Sequence, residues 1–208
     1  MNLTLRIWLG LFVPYALFFF WYTSFGGRLQ PDEIERYMEV LVARGSKPEQ
    51  LEVWRHFMET DSGDDFAMFN AIELREKPLA IEGVLPGESS SDVLARYTTP
   101  FMKNAMLDAA HPVLIGFAAN DAMDLWGIEG AEHWTMGGIV RYRSRRDLMN
   151  QAVEMSGLGI HAFKQAAMSK TVAYPLDPWF QLGDPRLLMA LILVSVGFAL
   201  QLRLRPGE

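Results

Sequence analysis

The stretch MGGIVRYRSRRDLM at 136–149 places four arginines, Arg141, Arg143, Arg145 and Arg146, within six positions. Guanidinium groups at this density suit two chemistries: bidentate capture of a carboxylate- or phosphate-bearing ligand, or ion pairing with acids of the same domain. Arg141 and Arg143 share parity on the preceding extended run, so they leave it on one face and are the pair better placed to hold an anion. Ser144 and Asp147 stand in capping-box spacing, which starts a helix here and puts Arg145 and Arg146 in its first turn. Positive charge there opposes the helix dipole unless an acid or an anion answers it. The many nearby acids favour salt bridges within the domain over a bound anion.

Other reactive side chains are scattered. His111 precedes Pro112, His133 stands beside Trp134, and His161 falls in a helical pattern, so none of these pairs at the i, i+4 spacing of a helical metal site, and no metal is expected. Asp121, Asp124, Glu129 and Glu132 lie in a long loop at 120–134 without EF-hand spacing and read as a solvated loop, whose Trp126, Ile128 and Trp134 could close a pocket, meet a partner or touch lipid headgroups. The chain has no cysteine, which excludes disulfides, thiol catalysis and thiolate metal sites. Nucleophile elbows and phosphate loops are missing too, so neither a hydrolase nor a kinase is indicated.

The elements that must position these groups follow from periodicity. FAMFNAIEL (66–74) alternates as a strand; 89–110 opens with Ser89 and Asp92 in capping spacing and reads as a helix; 111–119 is a strand, 134–143 another. Residues 144–170 read as a helix interrupted around Gly157 and Gly159, and 171–176 as the last strand. This β-α-β-β-α-β order is the ferredoxin-like split unit, an α+β fold with two helices on one face of a four-stranded antiparallel sheet. Both faces of 66–74 and 134–143 carry apolar side chains, which a solvated face does not need, so a homodimer joined sheet to sheet is expected. Met102, Met106, Met149, Met155 and Met168 read as core filler. Ahead of this domain (64–178), residues 28–63 read as a helical linker: Pro31 at a first-turn position, Ile34, Met38, Leu41 and Val42 as a stripe, Gly45 as a stop, then Ser46 and Glu49 as a second cap.

The two ends are apolar. Residues 7–27 carry no charge, and at about 1.5 Å per residue a helix of that length spans the roughly 30 Å hydrocarbon core. Residues 187–202 form a second uncharged run, about 24 Å long by the same rise and bracketed by Arg186 and Arg203, which can snorkel. The first run exceeds a usual signal-peptide core and lacks an A-x-A-like site after it, so an uncleaved anchor is expected. Arg6, Arg203 and Arg205 flank the spans, which by the positive-inside rule puts both termini in the cytoplasm and the central domain in the periplasm of a bacterial inner membrane. Without Arg6, Arg203, Arg205 and Glu208, the central part holds 16 basic and 24 acidic residues, a formal charge of −8. Nucleic acid is therefore not an expected partner.

FAMFNAIELRE, then HPVLIGFAA, WTMGGIVRYRSRRDLM and HAFKQAAMSKTVAYP, resemble the dimeric α+β barrel superfamily over roughly residues 64–178. The resemblance is to an uncharacterised branch whose first strand reads Met-x-Asn-Leu-x-x-Phe-Arg and whose third ends in Tyr-x-Ser-Arg. The chain departs from it in having Glu73-Leu74-Arg75 where Phe-Arg is expected. That superfamily includes cofactor-free monooxygenases, haem-degrading enzymes, isomerases and proteins without assigned chemistry, so the resemblance implies fold more than activity. In haem-degrading members an Asn on the first strand, a Trp on the third and a His on the second helix line one cavity; Asn70, Trp134 and His161 occupy comparable elements here. The resemblance thus implies Asn70, Trp134 and His161 as ligand-binding candidates beside Arg141 and Arg143 of the arginine cluster, with no cofactor required and haem the one it could introduce. The function expected is that of a membrane-anchored binding or scaffolding protein, for a small aromatic or apolar molecule or a membrane-protein partner. The alternative is a cofactor-free monooxygenase or isomerase, or a haem-binding enzyme, acting on a lipophilic substrate.

Overall fold

In the computed structural model, which describes residues 2–204, FAMFNAIEL forms β1 (Phe66–Leu74), the strand about which a four-stranded antiparallel sheet is built. Its neighbours are β3 (Met136–Tyr142) on one side and β4 (Met168–Leu176) on the other, and β2 (His111–Phe117) lies outside β3, giving the order β2-β3-β1-β4. The described residues fall into two compact units, one running from Phe25 to Asp177 and one made of the segments up to Ser24 and from Pro178 on.

Within the unit Phe25–Asp177 the helices are α2 (Pro31–Ala43), α3 (Pro48–Glu59), α4 (Ser90–Leu107), α5 (Arg145–Ser156) and α6 (His161–Ala167). Ser89 and Ser144 cap α4 and α5 by accepting hydrogen bonds from the Asp92 and Asp147 N–H groups at 3.1 Å each. α2 ends at Gly45 in the left-handed region (φ 76°), with the Ser46 N–H donating to the Leu41 carbonyl and the Gly45 N–H to that of Val42, the double bond pattern of a glycine-terminated helix. α3 differs from expectation: Lys47, not Ser46, is the N-cap, and its N–H donates to Gln50 Oε1, not to Glu49. Pro48 explains the shift, since a proline at the first helical position sets the start one residue later. The second expected helix also ends early. Leu79 and Arg75 donate their N–H groups to the Ala166 and Ala167 carbonyls, which turns the chain into extended conformation at Met168.

The even face of β1 meets the helices in two clusters. Phe66 and Tyr142, ring partners stacked at 5.3 Å, join Leu148 and Met149 of α5; Ile72 and Leu74 pack with Val93 and Leu94 of α4 and Ala166, Ala167 and Met168. The segment 28–63 is more than a linker. Leu29, Ile34, Tyr37, Met38, Leu41, Phe57 and Met58 belong to the first cluster, and Phe57 stands edge-on to Phe66 at 5.4 Å. Burying that stripe is what holds α2 and α3, too short to persist alone in water. Met149, Met155 and Met168 are core residues, whereas Met106 is exposed.

The other unit contains α1 (Leu3–Tyr22) and α7 (Pro185–Arg203), both long and apolar enough to cross a membrane. α1 starts and stops earlier than the apolar run at 7–27: Asn2 caps it by accepting from the Leu5 N–H at 2.9 Å, Arg6 lies inside its first turns, and Thr23 is extended. Arg203 closes α7; Arg205 lies outside the described residues. The helices run antiparallel, Trp8 meeting Phe198 edge-on at 5.4 Å and the Arg186 guanidinium lying 5.5 Å from the Tyr22 ring centre. They approach tightly at Gly197, where a Cβ would stand 2.7 Å from the Trp8 ring. Small residues allow such approach where apolar surroundings provide no hydrophobic drive. Gly197→Leu is expected to displace Trp8 and cost about 1–3 kcal/mol of helix-pair stability by overpacking, and Trp8→Ala in the same chain to recover part of it, both read from thermal loss of helical signal in detergent.

Candidate functional site

The arginine-rich corner resolves into four sets of ties within the domain. Arg141, 1% exposed, donates from Nε and Nη2 to Asp65 Oδ2 at 3.1 and 2.8 Å and from Nη1 to the Ala109 carbonyl at 3.0 Å. Ala109 follows α4 with φ 55°, a left-handed conformation costing about 1–2 kcal/mol for a residue with a Cβ. The Arg141 bond to its carbonyl is one interaction that holds it there. Arg143 donates from Nε and Nη2 to the two Asp147 oxygens at 2.8 and 2.9 Å and from Nη2 to Asp108 Oδ1 at 2.9 Å. Burial first, then the neighbouring Asp147, pushes the Asp108 carboxyl above its ordinary range, while Arg143 opposes the shift.

Arg145 covers the Phe57 ring at 4.7 Å and donates to the Phe57 carbonyl and to Thr60 Oγ1, pinning the end of α3. Arg146 grips Glu33 of α2 with Nε and Nη2, at 2.8 and 2.9 Å, and donates to the carbonyls of Gly27 and Arg28. The Arg146 hydrogen bonds, with help from the Gln30 N–H, hold the Glu33 carboxyl at about 2, against burial. Arg141 and Arg143 therefore face acids of their own domain.

The remaining sequence candidates do not converge. Asn70 lies on the helix side of β1, between the two clusters, and donates from Nδ2 to its own strand's Met68 carbonyl at 3.0 Å. Trp134 precedes β3, donates from Nε1 to the Ala131 carbonyl at 2.9 Å and carries the Lys170 ammonium 4.7 Å from its ring centre. Lys170 also meets Glu73 at 3.0 Å, so that acid has an ion partner. His161 stands edge-on to Tyr97 of α4, centroids 5.8 Å apart. Among the described residues no hydrogen bond or ring contact joins Asn70, Trp134 and His161.

His161 instead has neighbours that sequence reasoning did not single out. The Lys164 ammonium lies 5.4 Å from the Tyr97 ring centre, and Phe101 stacks on Tyr97 at 5.5 Å. Burial lowers the Lys164 amine and raises the Tyr97 phenol; burial, then Lys164 and Arg44, lowers the His161 imidazole. The i, i+3 spacing of His161 and Lys164 was the available signal, but only the fold shows that both meet Tyr97.

The odd face of the sheet is left open. Ala67, Phe69, Ala71 and Glu73 of β1 stand opposite Leu176, Tyr174, Val172 and Lys170 of β4, with Phe69 and Tyr174 rings 5.1 Å apart. Towards β2 lies a shallow trough of about 290 Å³, floored by Gly116, Gly137 and Gly138 and walled by Phe69, Leu114, Phe117 and Ile139. Leu114 and Phe117 are 62% and 77% exposed. The lining holds no charged side chain, so the trough suits an apolar or flat aromatic surface and offers no acid, base or nucleophile. Beside it the 118–135 loop continues the β2–β3 hairpin through the Ala118 N–H to the Thr135 carbonyl and the Ala122 N–H to that of Glu132, and His133 pairs with Asp121 at 2.8 Å. Its tip exposes Met123 and Trp126. Among the described residues no group of three or more His, Cys, Asp or Glu side chains could hold a metal ion.

No family model matches the chain and no curated protein matches it. Among solved structures, the chain is similar to the methylated RPA0582 protein (22% identity, TM-score 0.49, covering 64% of this chain and 93% of that one). It is also similar to the RPA0582 protein of unknown function from Rhodopseudomonas palustris (22% identity, TM-score 0.47, covering 62% and 94%).

Two outcomes test the corner. Arg141→Met strands the Asp65 carboxylate and the Ala109 carbonyl, and is expected to cost about 3 kcal/mol of domain stability in a denaturant titration, with Asp65→Asn adding little on top. The Glu33 carboxylate is favoured by folding, so its contribution is complete above the unfolded value of 4.5 and is lost as pH falls towards about 2. Glu33→Gln is expected to flatten the acid side of the melting-temperature profile across that window.

Proposed function

We propose that this chain is a membrane-anchored binding or scaffolding protein whose central domain pairs with a second copy through the open face of its sheet. The observation that carries the reading is that face: a four-stranded sheet with one side packed on helices and the other largely apolar, holding Leu114, Val172, Tyr174 and Leu176 exposed. An antiparallel sheet tolerates water on one face when that face is polar, and this one is not. The strand order, with β1 and β3 central and β4 and β2 outside, supports the ferredoxin-like reading and, with it, the dimeric α+β barrel resemblance. The two apolar helices support anchoring in a bacterial inner membrane; the arginines near their ends favour cytoplasmic termini and a periplasmic domain.

Binding is preferred to catalysis because the trough is lined by carbon and backbone alone, whereas the arginines that resembled an active cluster are engaged by Asp65, Asp108, Asp147 and Glu33. Native purification in mild detergent, followed by mass spectrometry for small molecules and copurifying proteins, tests it. A bound apolar ligand or a stoichiometric partner supports the reading, and turnover of a lipophilic substrate by the purified chain overturns it. Tyr174→Glu, which puts a charge in the middle of the open face, is expected to weaken self-association at least tenfold, about 1.4 kcal/mol, in light scattering on the detergent-solubilised chain, while the domain's melting temperature is little changed.

A further inference from the structure

The segment PWFQLG at 178–183 carries no charge and lies immediately ahead of α7. Its large side chains face away from the protein: Trp179, Phe180 and Leu182 are 96%, 69% and 87% exposed. The Trp179 and Phe180 rings stand together at 6.0 Å, forming one aromatic pair. Gly183, with φ 90°, turns the chain, and Asp184 then caps α7 by accepting from the Arg186 N–H at 2.8 Å. The Asp184 carboxylate also takes the Arg186 guanidinium at 2.6 Å, and that guanidinium covers Tyr22 at the end of α1. One end of the helix pair is thus marked by a neutral Asp–Arg pair on a tyrosine, with three uncovered apolar side chains beside it in sequence.

We propose that 179–182 is an interfacial foot, in which Trp179, Phe180 and Leu182 seat in the boundary between headgroups and acyl chains of a zwitterionic bilayer. Indole and phenyl rings next to an apolar helix partition to that depth, where a ring can be dry while the Trp179 N–H still finds an acceptor. The zwitterionic surface follows from charge. Asp177 and Asp184 flank the segment and no Lys or Arg lies within it, so attraction to anionic lipid has no source there. The foot rests on the membrane-span reading of α7, and its test separates the two.

The absence of native cysteine allows single nitroxide labels at Phe180→Cys, Leu182→Cys, Val194→Cys in the middle of α7, and Lys77→Cys as an exposed polar reference. The full chain is reconstituted in phosphatidylcholine vesicles and accessibility to oxygen and to a water-soluble nickel chelate is read by electron paramagnetic resonance. Positions 180 and 182 are expected to lose chelate accessibility relative to 77 while gaining oxygen accessibility, at a depth shallower than 194 and unchanged by salt. Chelate access at 180 and 182 equal to that at 77, with 194 deep in lipid, overturns the foot and leaves the span standing. Shielding of 180 and 182 from both reagents means that protein covers them and also overturns it. Chelate access at 194 as well removes the span and the foot together.

Discussion

A buried guanidinium pays a large desolvation penalty unless acceptors surround it, and the β3–α5 corner answers that penalty four times in six residues. Because the acceptors are spread over four other parts of the chain, the cost of burying these charges ties the domain together. Asp65 holds the entry to β1, Ala109 and Asp108 the exit from α4, the Phe57 carbonyl the end of α3, and Glu33 the start of α2. The sheet supplies the surface on which the two apolar clusters assemble; the corner sets where three helix ends and the start of β1 meet it. A domain with a formal charge of −8 has carboxylates to spare for this, and its basic run is therefore an organising centre more than a binding site.

With that end of the sheet closed by ion pairs, the open surfaces of the sheet are those that the corner does not reach. The helix side of β1 is filled by carbon, and Asn70 there serves its own backbone. The opposite side is dry in character but uncovered, and it deepens where three glycines remove side chains from adjacent strands. The residues lining that trough carry no charged side chain, so what it offers is shape and apolar area.

What the sequence disclosed was what neighbouring residues decide. Ser89, Ser144 and Gly45 announce helix ends because capping acts over three or four residues, and FAMFNAIEL shows its strand because alternation is local. Lys47 as a cap was hidden because Pro48 outweighs the better side chain of Ser46. The docking of α2 and α3 was hidden for a different reason: an apolar stripe says that a helix buries one face, not that Phe66, Tyr142 and Met149 are what it buries it against. The same limit applies to the site. Parity put Arg141 and Arg143 on one face and Asp147 stands only four residues past Arg143, but Asp65 and Asp108 lie far away in sequence, and Tyr97, which brings His161 and Lys164 together, is on another helix.

The glycine floor also sets how the sheet yields. Gly116 stands opposite Gly137 and Ile115 opposite Gly138, so along this stretch β2 is joined to β3 by backbone hydrogen bonds with few side chains interlocked across the seam, and a register shift between Pro112 and Leu114 interrupts it further. β1, by contrast, is gripped on both edges and packed from below. One wall of the trough is stiff and the other compliant. Small backbone rotations therefore displace β2 more readily than β1, so the width of the trough is set by its outer strand.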